Sequence, residues 1–339
     1  MVNVIIRSNE ANAAATALTL AARDHHVCLL SDKVSPGLYQ FSYFGEPRNE
    51  VLRAVDELKA GAPVIGVVFA EGEDVQAGMQ DVLRVASPQL MVIVGGGITG
   101  AVEAAEAARR FGLDTSSVLQ IGAFLFGGNL SSVRAEKHDV LAGFLGPETP
   151  DHLVELALAT FPRLSLGNPA AVALSSINAL FHVPPMLLNA MSVERAESIR
   201  FYVEGFGDSV CRLLLELDAD RLRLGAALGL GLVPVQELKA RYSGPDAPKG
   251  LSLREQVNTL SSQTAALPSS FHHRFLRHEL RSSFAPMAAL AAAVRVDVPT
   301  ISSILRLSEI LLEEDILDHA ARPAQDFLNL MNTHSLSIN

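Results

Sequence analysis

The sequence predicts an α/β N-terminal domain, Rossmann-like and built on a parallel sheet, followed by an all-α helical domain. Three observations carry that prediction. Strand and helix patterns alternate through the first half of the chain. The apolar runs there are continuous, as in parallel strands covered on both faces. Strand signals then stop near Gly167-Asn168-Pro169, and only helical periodicity follows. The division is placed at 1–167 and 168–339, with a ligand cleft expected between the two domains.

The elements follow in order. The run "VNVIIRSNEANAAATALTLAARDHHVCLLSD" reads as a short strand, a tight turn, an alanine-rich helix and a second strand ending at Asp32. That is the order of a nucleotide-binding βαβ unit. A polar, aromatic segment from Ser35 to Pro47 precedes a helix predicted over about 50–60. Val64 to Phe69 is a continuous apolar strand, followed by a helix over 75–86. A strand from Leu90 to Val94 leads into Gly95-Gly96-Gly97-Ile98-Thr99-Gly100 and a helix over 101–111. Strands near 118–121 and 140–143 complete the predicted parallel sheet. In the second half helices are predicted over 170–182, 184–197, 203–228, 234–241, 251–261, 285–293 and 299–314. Prolines and glycines punctuate them, and 243–250 forms a dividing loop.

Bulk composition narrows the function. The chain has 339 residues, 49% of them hydrophobic, enough for two ordinary cores. Its net charge of −10, with no basic cluster, argues against nucleic acid and anionic membranes as partners. Cys28 and Cys211 read as buried thiols in a reducing compartment. The N-terminus lacks a secretory pattern. No apolar run is expected to reach the ~18 residues of a membrane span. A cytoplasmic protein is therefore expected, with an Ala/Leu-rich helical half that could supply a homodimer face.

Three constellations carry chemistry. Gly95, Gly97 and Gly100 match G-x-G-x-x-G after a strand, but such turns are common in parallel sheets, so they are read as lining the cleft at the sheet edge. In "SSINALFHVPPMLLNA", Asn178 and His182 stand four apart, about 40° from one another on a helix, with Ser175 on the same side. Pro184 predicts a break at Val183, which would leave His182 at a helix end. A histidine in an apolar helix is by default a core residue; this polar face favours a site. The segment "PSSFHHRFLRHE" (268–279) is dense in titratable groups. Its spacing fits no common zinc pattern, so no metal is expected. A dyad of His182 oriented by Glu279 is the better reading.

These residues resemble the octopine/nopaline (opine) dehydrogenase family. The resemblance rests on "SSINALFHVPPMLLNA", on "RFYVEGFGDSVCRLLLELDADRLRLGAAL" (200–228) and on an arginine followed five residues later by an acid, Arg274 and Glu279. The tail "VPTISSILRLSEILL" also fits. The resemblance implies reductive condensation of an amino acid with a 2-oxo acid, using NADH or NADPH. It places the catalytic histidine on His182, its acid on Glu279 and the arginine on Arg274. Substrate contacts fall on Asn178, with Ser175 and Asn189 nearby. The cofactor side falls on Ser8, Glu10, Ala13, Asp32, Gly95 and Gly97.

The departures are specific. Glu279 stands where the family has an aspartate, and the glycine turn at 95–101 lacks the family's arginine. The fingerprint glycines fall on Ser8, Glu10 and Ala13. A carboxylate at a helix N-terminus occupies the place of a diphosphate. Like charges at ~4 Å cost roughly 4 kcal/mol at an effective dielectric of 20. Binding therefore requires that Glu10 swing out or be neutralised by Arg7. Three readings stand at this point: a reductase with a remodelled phosphate turn, a relative that has lost its nicotinamide cofactor, and a helical interaction protein.

Overall fold

The structure, a computed structural model, describes residues 1–72 and 74–335. Two compact units emerge. The first comprises chiefly Met1–Gly96 and Gly100–Val172; the second comprises Ala173–Met331 together with Gly97–Thr99.

The first unit starts with β1 (Asn3–Arg7), α1 (Ala11–Ala21), β2 (His26–Leu30), β3 (Gly37–Tyr43), β4 (Glu46–Leu52) and β5 (Val64–Phe69). It continues with α2 (Val75–Val85), β6 (Leu90–Val94), α3 (Gly97–Arg110), β7 (Val118–Ile121), β8 (Phe126–Asn129) and β9 (Ser132–Glu136). β10 (Val140–Phe144), α4 (Asp151–Thr160) and β11 (Leu164–Leu166) close it. Seven strands form one sheet in the order β11-β10-β7-β6-β5-β1-β2. β2, β1, β5, β6 and β7 are parallel neighbours. β10 runs antiparallel to β7, so the sheet is mostly and not wholly parallel. The hairpin β8–β9 lies in the connection between β7 and β10.

The predicted helix over 50–60 is absent. The chain there forms β4 and a short turn at Val55–Glu57. β3 and β4 pair through the two-residue loop Phe44-Gly45, whose φ angles are 50° and 94°. Two positive φ values make this a turn of the hairpin-favouring mirror type. A phenylalanine in place of the usual Asn or Asp hid it from the sequence. β4-β3-β9-β8 then form a second, four-stranded sheet.

That second sheet explains the alanine-rich helix. α1 packs on β1 and β2 on one side and on β4, β8 and β9 on the other. Every residue from Ala13 to Ala21 is buried. A helix covered all round is apolar all round, and small side chains let both sheets approach it.

The second unit holds α5 (Pro169–Leu174, partly shared with the first), α6 (Asn178–Leu188), α7 (Ala190–Glu194), α8 (Asp208–Ala227), α9 (Val235–Ser243) and α10 (Leu253–Leu260). It ends with α11 (Arg274–Glu279), a π-type turn over Leu280–Phe284, α12 (Ala285–Ala293), α13 (Pro299–Leu312) and α14 (Ala321–Ser335). The predicted break at Val183 does not occur. α6 runs through Pro184 and Pro185, so the carbonyls of Leu180 and Phe181 lose their backbone donors without ending the helix. The actual break lies at 175–177, and Ser175 is therefore not on the helix of Asn178 and His182. The stretch Pro169–Leu188 does meet the length and hydropathy of a membrane span, contrary to the sequence expectation, yet 83% of its most apolar window is buried inside the protein. It is core.

α8 organises this unit through the "LDADRLRLG" segment. Arg221 is fully buried; it bonds Asp218 at 2.8 Å and the carbonyls of Leu174 and Val233. Asp218 also accepts from Val235 N at the start of α9. Asp220 accepts from the amides of Thr300 and Ile301, the first turn of α13. Each acid thus satisfies helix-terminal donors that would otherwise be stranded.

Candidate functional site

α6 and α11 pack together in the helical unit and bring two distant residues into contact. His182 Nδ1 lies 2.7 Å from Glu279 Oε1, across 97 positions of sequence. His182 is 5% exposed and Glu279 2%. Burial pushes the Glu279 carboxyl up to about 8, against the opposing pull of the Arg274 guanidinium. Near neutral pH the pair therefore holds a proton in common.

The rest of the imidazole is equally defined. Its Nε2 lies 3.2 Å from the Tyr202 hydroxyl. Its face stacks on Phe275, with ring centroids 3.8 Å apart and planes 10° apart. Arg274 lies over the Phe275 ring at 5.1 Å, a cation–π contact. Phe201 meets the imidazole edge-on at 6.1 Å. Two further histidines are nearby. His273 and His278 are each pushed down to about 4 by burial, with Arg274 and His182 adding to the effect. Both are neutral at pH 7, so the mobile proton belongs to the His182–Glu279 pair.

Glu279 also marks a change in helix geometry, because the π-type turn Leu280–Phe284 begins directly after it. Such turns are frequent at functional sites. A Cβ on Gly97 would meet Ser283 Oγ at 2.7 Å and the Ser282 carbonyl at 3.1 Å, and Thr99 donates to the Arg281 carbonyl.

The sequence-predicted residues thus fall into distinct groups. His182, Glu279 and Arg274 come together. Asn178 lies one turn before His182 on α6. Asn189 serves the backbone: its side-chain amide donates to the Pro185 and Gly205 carbonyls at the end of α6, about 10 Å along the axis from His182. Ser175 is 1% exposed, and its Oγ has no hydrogen-bond partner among the described residues. Tyr202 and Phe275 are the residues sequence reasoning missed. Both lie in quoted motif segments, but nothing in their spacing signals contact with His182. Among the described residues no cluster of His, Cys, Asp or Glu could hold a metal ion.

The turn after β1 is built differently. Ser8 is buried and its Oγ accepts from Glu10 N. Asn9 accepts from the Ser31 hydroxyl and Asp32 N and donates to the Asp32 carboxylate at 2.9 Å. Asp32 is therefore tied to the turn. Arg7 pairs with Asp81 at 2.9 Å, so its closest carboxylate contact lies away from Glu10. Ala13 is fully buried, as close helix–sheet packing requires. Glu10 is the N-cap of α1. Ser8 and Glu10 thus stand where the dinucleotide fingerprint has the glycines of its tight turn and of its close approach to a diphosphate.

Gly95, Gly96 and Gly97 are all closely packed. A Cβ on Gly95 would lie 2.3 Å from Glu71 Oε1, and one on Gly96 2.7 Å from the Ala70 Cβ. With Gly97 against Ser283, these glycines answer to close packing. Cys28 and Cys211 are buried, and burial raises both thiols, Cys28 to about 11. They are inert.

Known proteins bear on both halves. Residues 165–312 match the alpha-helical domain of NAD/NADP octopine/nopaline dehydrogenase. The chain is 28% identical over 152 residues to an opine dehydrogenase of Arthrobacter sp. strain 1C, covering 45% of this chain and 42% of that protein. It is 26% identical over 151 residues to a vitopine synthase of Allorhizobium ampelinum strain S4, covering 44% and 41%. Each match thus spans about two-fifths of the relative's length. An octopine dehydrogenase solved in complex with NADH and agmatine shares the fold, with a TM-score of 0.67, 13% identity and 96% coverage of both chains.

Proposed function

We propose, for a chain whose residues 165–312 match the alpha-helical domain of the octopine/nopaline dehydrogenases, an NAD(P)H-dependent reductive condensation of an amino acid with a 2-oxo acid. One observation carries the proposal: the buried His182–Glu279 contact, with Arg274 beside it.

The amine of one substrate adds to the carbonyl of the other to give a carbinolamine, which loses water to form an imine. His182 is the group that moves protons in this sequence. Drawing on the proton it shares with Glu279, it protonates the departing hydroxyl and recovers a proton from the amine. Glu279 stabilises the imidazolium and fixes the ring. Arg274 supplies the planar fork that grips a substrate carboxylate, and Asn178 a neutral hydrogen bond one turn away. NADH or NADPH, where bound, supplies the hydride that reduces the imine. The turn at Glu10 departs from the glycine fingerprint that would approach its diphosphate.

That same turn favours a second reading, in which nicotinamide binding is lost and the site condenses or holds an imine unaided. Fluorescence titration with NADH and NADPH separates the two. The first expects saturable binding, and oxidation that depends on both an amino acid and a 2-oxo acid. Absence of saturation up to millimolar cofactor contradicts it and leaves the second.

A further inference from the structure

We propose that Tyr202 is the terminal proton-exchanging group of the site, so that protons pass between Glu279, His182 and Tyr202 and reach the ligand through the phenol. The proposal rests on the reading of His182 as the acid–base residue.

An imidazole has one hydrogen-bonding direction at each nitrogen. Glu279 takes the direction at Nδ1 and Tyr202 the one at Nε2. A ligand oxygen therefore reaches the ring only by displacing the phenol or by bonding to it. Tyr202 is held in place. Asn258 donates through its side-chain amide to the carbonyls of Tyr202 and Val203, at 3.1 and 2.8 Å. The Tyr202 ring packs edge-on against Phe201 at 4.8 Å and stacks on Phe206 at 5.8 Å. Phe201 and Phe206 are fully buried, so this wall is rigid. The imidazole, in turn, cannot swing away, because Phe275 covers its face. A hydroxyl has one hydrogen and two lone pairs. It can accept from Nε2–H while donating to a ligand oxygen. The observed 3.2 Å is long for such a bond, as acid–base contacts often are before ligand binds.

The step balances. Nε2–H passes its proton to the Tyr202 oxygen as the phenol gives its own to the leaving hydroxyl of the carbinolamine, which departs as water. The imidazole is left neutral, with its Nδ1 proton still held by Glu279. The charged and titratable groups around the relay are Glu279, Arg274, His273 and His278.

The experiment has two arms. First, the His182 ring nitrogens are followed by 15N NMR titration in the ligand-free protein, in the wild type, in Tyr202→Phe and in a chain carrying fluorotyrosine at 202. The fluorinated ring keeps the shape and hydroxyl but is more acidic, so it remains informative if Tyr202→Phe folds poorly. The Nε2 resonance and its titration midpoint are expected to move in both variants. An Nε2 signal that ignores both changes overturns the relay. Second, Tyr202→Phe is expected to lower kcat by about 100-fold or more with KM little changed; an unchanged kcat also overturns it. The first arm needs no turnover. A wild type without activity but with a phenol-coupled His182 would count against the reductase reading and not against the relay.

Discussion

The turn after β1 and the contact between α6 and α11 differ in what their side chains do. At the turn, side chains bond to one another and to the backbone around them: Ser8 to Glu10 N, Asn9 to Ser31 and Asp32, Arg7 to Asp81. At the α6–α11 contact a carboxyl and an imidazole are buried together with a proton between them, at a cost in desolvation that simple packing would avoid. A fold can lose a ligand seat cheaply, by letting small residues become larger ones that bond among themselves. A buried acid–base pair is costly to keep without use. The difference is the reason the proposed chemistry is placed on the His182–Glu279 contact.

The largest expected effect is on that half. His182→Ala should reduce turnover by about 100- to 10,000-fold with circular dichroism near wild type, and the cavity and unpartnered Glu279 it leaves should lower the melting temperature. Normal turnover in the variant would erase the contrast between the two regions. The other half answers to Glu10→Gly. Removing a carboxylate from the diphosphate position should raise NADH affinity by roughly three orders of magnitude. An isothermal titration showing no gain would mean that the obstacle lies elsewhere.

How far these features are legible in the sequence varies for physical reasons. Continuous apolar runs gave β1, β5 and β6, because a strand buried on both faces has few alternatives. The β3–β4 hairpin was illegible, since its turn uses Phe44 and its exposed edge strand carries helix-compatible charges. The break in the apolar helix was placed at Pro184, the usual signal, but tertiary packing carries α6 through both prolines and breaks the chain at 175–177. Asp218, Asp220 and Arg221 could be read only as a charged helical stretch; their role as caps and crosslinks depends on α9 and α13 arriving at α8. His182 and Glu279 could be paired from their chemistry, a histidine on a polar helix face and a titratable segment with an acid, and the family resemblance supports the pair, but nothing local links positions 97 apart. The contact of Tyr202 with His182 arises only from tertiary packing.

Smaller effects sharpen the picture. The Glu279 carboxyl titrates near 8 in the folded chain and near 4.5 when unfolded. Between those values the folded state holds a proton that the unfolded state releases, so this group makes stability fall as pH rises from about 4.5 to 8. Urea melts of Glu279→Gln across that window should show this slope flattened. His278 acts with the opposite sign. Its folded value near 4 lies below the ordinary 6.5, so stability is lost as pH falls through that interval. His278→Gln should remove part of that acid sensitivity. Smallest of all, Asp220→Ala should cost about 1–2 kcal/mol by uncapping α13, and should leave the His182 resonances unmoved.

The most direct test is oxidation of NADH and NADPH in mixtures of amino acids and 2-oxo acids, with wild type and His182→Ala measured side by side. The account predicts oxidation in the wild type that requires both substrates and disappears in the variant. Equal rates in the two proteins, or oxidation indifferent to either substrate, would contradict it.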